Sequence, residues 1–123
     1  MTPEEKHQAY LDAGQMIHKG RKVAITWLPF PDVNGIGGAL IEDKEYYLIA
    51  INSALAQIRQ RHALGHELAH LFLDHLDRRD IPIMLLEKQA NRYAWTFYNA
   101  YKRGDLSKEI PARTIGRSST IIE

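Results

Sequence analysis

The residues of this chain that could do chemistry stand in one short run, His66-Glu67-Leu68-Ala69-His70. On an α-helix, residues four apart lie one turn apart on the same face, so both imidazoles would point the same way. Two imidazoles in this arrangement can bind one Zn²⁺, and Glu67 is then placed to act as general base on a water molecule at the metal. The run therefore predicts one zinc ion per chain and a hydrolytic reaction.

A catalytic zinc site usually has three protein ligands, so a third ligand must come from elsewhere in the chain. The chain has no cysteine, which leaves histidine and carboxylate ligands. If the helix continued, His75 would point away from the two histidines and Asp74 would lie a full turn beyond them. Glu87 is the best third ligand, because it begins a second helix that can fold back antiparallel to the first. The other candidates are Asp77 and Asp80.

Several other side chains are candidates for roles around the metal. Asn91, one turn after the third ligand, would share its face and could accept a hydrogen bond from the outer nitrogen of a ligand histidine. The alternative is that Asn91 simply faces solvent. His62, one turn before the first motif histidine, either lines the cleft or is a half-buried helix histidine. Tyr93 and Tyr98 could offer a phenol to the oxyanion of a tetrahedral intermediate, although both rings also suit packing.

Two helices must position these residues. We expect Asn52 or Ser53 to cap the helix that carries the motif, which then runs to about Leu73. A charged connection follows, and a second amphipathic helix runs from about Ile83 to Lys102. Four small residues would let these helices approach each other closely: Gly65, Ala69, Ala90 and Ala94.

A third helix is predicted at the start of the chain. Thr2 and Pro3 are typical of a helix N-terminus, with Thr2 as the cap. This helix would run to about Lys19, bury Ile17 and end at Gly20. We expect the two histidines within it, His7 and His18, to lie at the surface.

Strands are predicted between the first helix and the motif. Val23–Leu28 is typical of a short strand, and a loop rich in proline and glycine follows it. Gly37–Glu42 and Glu45–Ile51 flank the short turn Asp43-Lys44, which indicates a β-hairpin. The fold class is therefore α+β: a small antiparallel sheet packs on the motif helix, and a second helix carries the third ligand.

The composition is that of an ordinary globular protein. The 123 residues are predicted to form a single domain, 1–123, with a partly irregular tail from about 105 to 123. Sixteen basic and fifteen acidic side chains leave a formal charge of +1, so nothing indicates binding to nucleic acid or to an anionic membrane. There is no apolar segment typical of a signal peptide or a membrane span, so we expect a cytoplasmic protein.

Three segments resemble the ImmA/IrrE family of metallopeptidases. They are LIAINSAL from Leu48, RHALGHELAH from Arg61 and EKQANRYA from Glu87. The resemblance extends over roughly Leu48 to Tyr98, and the two later motifs in this order are specific together. The chain departs from the commoner pattern at Ala69, where glycine is more frequent.

This resemblance implies a compact, zincin-like domain of the gluzincin type. It implies that His66, His70 and Glu87 are the zinc ligands and that Glu67 is the catalytic glutamate. Members of the family cleave, or are proposed to cleave, transcriptional repressors and are often encoded by phages and mobile elements. The resemblance thus implies a zinc-dependent endopeptidase with a regulatory protein as substrate. The alternative is a non-catalytic zincin scaffold that binds a repressor or toxin partner without cutting it.

Overall fold

A computed structural model describes residues 16–30, 36–103 and 121–122 of the chain. Two helices, α1 and α2, are joined by a short 3-10 turn, and five strands form one sheet. The strands are β1 (Ile17–His18), β2 (Arg21–Leu28), β3 (Gly38–Glu42), β4 (Tyr46–Asn52) and β5 (Ile121–Ile122), and the helices are α1 (Gln57–Phe72) and α2 (Ile83–Arg103), with the 3-10 turn at His75–Asp77. Among these residues, no helix is long and apolar enough to cross a membrane.

The sheet has the order β1-β2-β4-β3-β5 and is mixed. β3 and β4 pair antiparallel as the predicted hairpin, and β2 pairs parallel with β4. Val23 and Ile25 alternate with more exposed residues along β2, whereas most of β4, including Ile49, is buried in the core. α1 packs on β3 and β4. The predicted α+β class and the hairpin are confirmed, and β2 adds a parallel ladder to the antiparallel sheet that the sequence predicted.

The two helices pack against each other at very short range. A Cβ atom added to Gly65 would lie 1.9 Å from the carbonyl oxygen of Ala94, so only glycine fits at that crossing. Ala69 and Ala90 are completely buried in the same interface. The predicted close approach through small residues is confirmed, and it brings the side chains of α2 within hydrogen-bond reach of the motif histidines.

The segment before β2 differs from the prediction. Ile17 and His18 form a strand, so the prediction that the first helix continues to Lys19 is wrong. Lys19 and Gly20 have φ angles of 52° and 76°, a pair of left-handed residues that makes a tight turn between β1 and β2. Gly20 therefore turns a hairpin instead of ending a helix.

The burial of this segment is also reversed. Ile17 is 46% exposed, whereas His18, expected at the surface, is 2% exposed. The reason is the period-2 alternation of a strand, which turns neighbouring side chains to opposite faces. The start of the predicted first helix with His7, the loop residues 31–35 and residues 105–120 and 123 of the tail lie outside the described residues.

The start of α1 corrects a second prediction. The N-cap position is Ala56, and no side chain caps it, so the expectation that Asn52 or Ser53 would cap this helix is wrong. Asn52 instead organises the end of β4: its Oδ1 accepts hydrogen bonds from the backbone N–H of Phe30 and Ala54, and its Nδ2 donates to the carbonyl of Ile36. Short polar side chains bind nearby backbone in this way in competition with capping.

Candidate metal centre

Three side chains from the two helices converge on one point. Nε2 of His66 lies 3.0 Å from Nε2 of His70, because residues four apart share a face of α1. The carboxylate of Glu87, in the first turns of α2, lies 2.9 Å from the former nitrogen and 3.1 Å from the latter. In the part of the chain that the structure describes, this is the one group of three or more such side chains that could hold a metal ion.

The geometry of this group fits a metal ion. A tetrahedral zinc with ligand distances of about 2.0–2.1 Å sets its ligand atoms about 3.3 Å apart. The three separations of 2.9–3.1 Å need to widen only slightly to reach that value. Two imidazoles and one carboxylate are also a known ligand set of catalytic zinc, which leaves a fourth position open to the cleft.

The outer nitrogens of both histidines also have partners. Nδ1 of His66 lies 2.8 Å from Oδ1 of Asn91, which accepts an N–H hydrogen bond. Nδ1 of His70 lies 2.9 Å from Nδ1 of His75, whose Nε2 lies 2.9 Å from Oε1 of Gln89. Such outer partners hold the ring orientation and tautomer of metal-binding histidines.

His75 would point away from the site only if the motif helix continued, and the structure shows that the helix ends before it. α1 ends at Phe72, and Asp74 then adopts a left-handed backbone with φ 60° and ψ 35°. This reversal folds the 3-10 turn back, so that His75 reaches His70 instead of continuing around the helix. An aspartate, which tolerates the left-handed conformation, is the only local signal for this turn.

A cleft of about 460 Å³ opens beside the ligand group. Glu67, 1% exposed, lies in its wall, and a Cβ atom added to Gly38 of β3 would come within 3.0 Å of the Glu67 Cγ. Gly38 thus lets the sheet edge approach the carboxylate. The cleft is lined by Ile36, Gly37, Gly38, Leu55, Ile58, Arg59, His62, Ala63, His66, Glu67, Glu87, Asn91 and Trp95.

The electrostatics of the ligand group favour a negative carboxylate at Glu87 and a neutral imidazole at His70. Burial acts to raise the pKa of Glu87, but hydrogen bonds and positive charge from both histidines lower it to about 2. Burial lowers the pKa of His70; the hydrogen bond with Glu87 and the Glu87 charge oppose this shift, and the nearby His66 adds to it. A negative carboxylate beside a neutral imidazole suits a divalent cation.

The comparisons with known proteins assign this chain to a family. A sequence model described as the IrrE N-terminal-like domain, a peptidase family, matches residues 21–101. The chain belongs to the IrrE N-terminal-like family. No curated protein and no solved structure matched the chain. The expected ImmA/IrrE resemblance is confirmed, and it supports a metallopeptidase-type function in general.

The remaining candidates of this IrrE-like domain take separate positions. His62 is half-buried, lines the cleft and contacts the ring of Trp95, so it combines both alternatives. Tyr93 is 42% exposed and Tyr98 is buried against Trp95; neither lines the cleft. Two of the unused ligand candidates have other partners: Asp74 pairs with Lys19, and Asp80 pairs with Arg78 at the surface.

Two residues of the site were not predicted from the sequence to belong to it. Gln89 was not predicted to belong to the site, because a glutamine on an exposed helix face is common and carries no motif of its own. Gly38 was predicted only as a strand residue. A glycine inside a strand does signal a close approach of another group, and here that group is Glu67.

Proposed function

We propose that this chain is a zinc-dependent endopeptidase that hydrolyses peptide bonds in a regulatory protein, such as a repressor of a phage or mobile element. The observation that carries the proposal is the buried Glu67, which lies in the wall of an open cleft next to three converging ligand atoms. A structural zinc site is closed by four protein ligands and needs no such carboxylate. Membership in a peptidase family supports the same reaction.

The reaction adds water across the peptide C–N bond. Glu67 would take one proton from the attacking water as the new C–O bond forms, and would deliver it to the leaving nitrogen as the C–N bond breaks. His66, His70 and Glu87 would hold the ion. Zinc bound there supplies a polarised scissile carbonyl and a water of lowered pKa. The low exposure of Glu67 strengthens its interactions, because the carboxylate is shielded from bulk water.

The edge of the sheet beside the cleft is a fitting place for substrate backbone. β5 pairs with Leu40 and Ile41, and no other described strand pairs with the outer side of Gly38 and Ala39. An extended peptide could add to β3 at those residues by main-chain hydrogen bonds. β4 cannot take this role, because it already pairs with β2 on one side and β3 on the other.

The cleft also indicates which substrate side chains would fit. Leu55, Ile58 and Trp95 form an apolar wall, and Ile58 and Trp95 are 57% and 41% exposed. Exposed apolar surface in a cleft gains free energy when another apolar group covers it. We therefore expect an apolar side chain next to the scissile bond.

The proposal is tested with Glu67→Gln and a matched control, Glu45→Gln. Glu45 is exposed and lies in the hairpin turn. Each protein is loaded with one equivalent of zinc and incubated with a library of unstructured peptides, and new termini are identified by mass spectrometry. The parent and Glu45→Gln should cut at the same sites, with an apolar residue next to the cut. Glu67→Gln should bind zinc equally well and cut at least about a thousandfold more slowly, because the general base is lost.

Two outcomes would contradict an enzymatic role. Equal cleavage by Glu67→Gln would show that this carboxylate is not the base. Absence of cleavage by the zinc-loaded parent, together with a partner captured equally by parent and Glu67→Gln, would favour a binding module that uses the zincin scaffold without cutting.

A further inference from the structure

His75 forms a buried hydrogen-bonded link between the metal centre and α2. Its Nδ1 lies 2.9 Å from Nδ1 of His70, and its Nε2 lies 2.9 Å from Oε1 of Gln89. His70 is completely buried and His75 is 3% exposed, so water is excluded from their contact. The two rings and the amide form one chain of hydrogen bonds that ends at the ligand group.

Proton positions along this chain follow from the metal. Nε2 of His70, which faces Glu87, must offer its lone pair to an ion, so the ring proton lies on Nδ1. The Nδ1–H of His70 can donate to Nδ1 of His75 only if that second nitrogen carries no proton. The ring proton of His75 then lies on Nε2. The Nε2–H donates in turn to the carbonyl oxygen of Gln89. Every group in the chain is satisfied in a single arrangement.

We propose that His75 is a positioning residue for the metal centre: with Gln89 it holds His70 in the tautomer and ring orientation that present Nε2 to the ion. This inference rests on the proposed metal binding by His70. It requires no change in the charge of any group. His75 acts through His70 and does not itself touch the ion.

An ion pair with the sheet fixes the turn that carries His75. Asp74, in its left-handed conformation, forms an ion pair with Lys19 at 2.9 Å. Lys19 lies in the tight turn between β1 and β2, so the sheet anchors the turn that follows α1. The position of His75 is therefore set by the sheet as well as by the two helices.

The other ligand histidine is supported differently. Nδ1 of His66 contacts Asn91, which is an exposed residue on α2. Water can replace an exposed partner, whereas it cannot reach the buried contact between His70 and His75. We therefore expect metal affinity to depend more strongly on His75 than on Asn91.

Metal affinity of three variants tests the proposal. His75→Leu removes the acceptor, and His75→Asn keeps an oxygen near the position of Nδ1. Gln89→Met removes the carbonyl oxygen at an exposed position that does not threaten folding. Affinity for zinc is measured by competition with a chelator, and circular dichroism checks the fold. The matched control is Gln57→Met, an exposed glutamine at the start of α1.

His75→Leu should weaken zinc binding about 10- to 100-fold, since that is the usual effect of losing an outer partner. His75→Asn should recover most of the affinity, and Gln89→Met should weaken binding several-fold. Gln57→Met should match the parent. Zinc affinity of His75→Leu within twofold of the parent, in a folded protein, would overturn the proposal, as would a Gln89→Met variant equal to Gln57→Met.

The tautomer of His75 gives a second test that needs no variant. In the zinc-loaded parent with ¹⁵N-labelled histidine, NMR should show a bare Nδ1 and a protonated Nε2 for His75. A proton on Nδ1 of His75 would overturn the proposal. A parent that binds no zinc would overturn the proposed function as well, whereas normal zinc binding and cleavage by His75→Leu would overturn only the role of His75.

Discussion

The candidate metal centre and a second polar group both place a carboxylate against histidine, yet the two groups differ in what they can bind. The second group, here the His18 group, consists of His18, Lys19 and Asp74. Asp74 Oδ1 lies 2.9 Å from Lys19 Nζ and 3.6 Å from His18 Nε2, and the His18 ring packs against aromatic rings. In the metal centre a carboxylate also faces histidines at 2.9–3.1 Å, but next to an open cleft.

The difference lies in where the positive charge comes from. In the His18 group a lysine of the chain itself neutralises the carboxylate. Among the described residues, no lysine or arginine forms an ion pair with Glu87, so its negative charge is left for the histidines and for an ion. Of these two groups, the candidate metal site is the one whose carboxylate pairs with no lysine or arginine among the described residues.

The largest expected effect is a difference in zinc affinity between variants of the two carboxylates, Glu87 and Asp74. Glu87→Gln should weaken zinc binding by about a thousandfold or more, about 4 kcal/mol, because it removes a charged ligand. Asp74→Asn should retain zinc binding to within about tenfold, since Asp74 touches no ligand atom. Isothermal titration with zinc measures both. Equal losses in the two variants would mean that both groups contribute directly to the metal site.

The next effect concerns a neighbouring ion pair beside the His18 group. Arg21 Nη1 lies 3.0 Å from Oε2 of Glu42, a carboxylate with no exposed surface. Arg21→Met should lower the free energy of unfolding by about 3 kcal/mol, because the buried charge loses its cation. Urea unfolding measures the loss, and zinc affinity should not change.

The matched double variant Arg21→Met with Glu42→Met tests the reason for that loss. It removes both charges, so it should recover part of the stability that the single variant loses. If the double variant lost as much stability relative to the parent as Arg21→Met and Glu42→Met lose together, a charge effect would be contradicted.

A third prediction concerns pH. Burial, reinforced by the charges of Lys19 and Arg21 and opposed by Asp74, lowers the pKa of His18 to about 4 from its ordinary value of 6.5. Between these values the unfolded chain binds a proton that the folded chain does not. The stability present above pH 6.5 is therefore lost as pH falls toward 4, by on the order of 3 kcal/mol from this residue.

His18→Phe isolates this contribution. The variant keeps an aromatic ring against Phe72 but cannot take up a proton. With a chelator present, urea unfolding of both proteins between pH 7 and pH 4 should show a smaller loss for the variant. Parallel pH profiles would show that the His18 group does not make the protein sensitive to acid.

The smallest effect is expected at the edge of the metal centre. Asn91→Ala should weaken zinc binding by about tenfold, at the low end for an outer partner, because water can take the place of an exposed amide. The measurement is again competition with a chelator. A loss larger than that of His75→Leu would reverse the ranking of buried and exposed partners.

Much of the candidate site was predictable because it depends on helix periodicity. His66 and His70 are four residues apart, and Glu87 starts a helix that the chain can fold back, so local geometry and connection length already restrict their positions. Gly65 and its alanine partners signal a close helix contact through size alone. The hairpin could also be predicted, since alternating β-branched and aromatic residues surround a short turn.

Other features depended on contacts between distant segments. Whether His75 points toward or away from His70 depends on the end of α1, which is set by the left-handed Asp74 and its pair with Lys19, 55 positions earlier in the sequence. Asn52 is a good cap residue, but its binding to Phe30 and Ile36 has no local signature.

The sequence by itself determined the composition of the candidate centre, namely two imidazoles and two carboxylates at spacings that a helix pair can bring together. Only the tertiary structure decided the surroundings of that centre. It buried His18 with its own cation, aimed His75 at His70 and placed Gly38 against Glu67. The physical reason is that spacing along a helix is a local property, whereas burial and charge pairing depend on which distant segments meet.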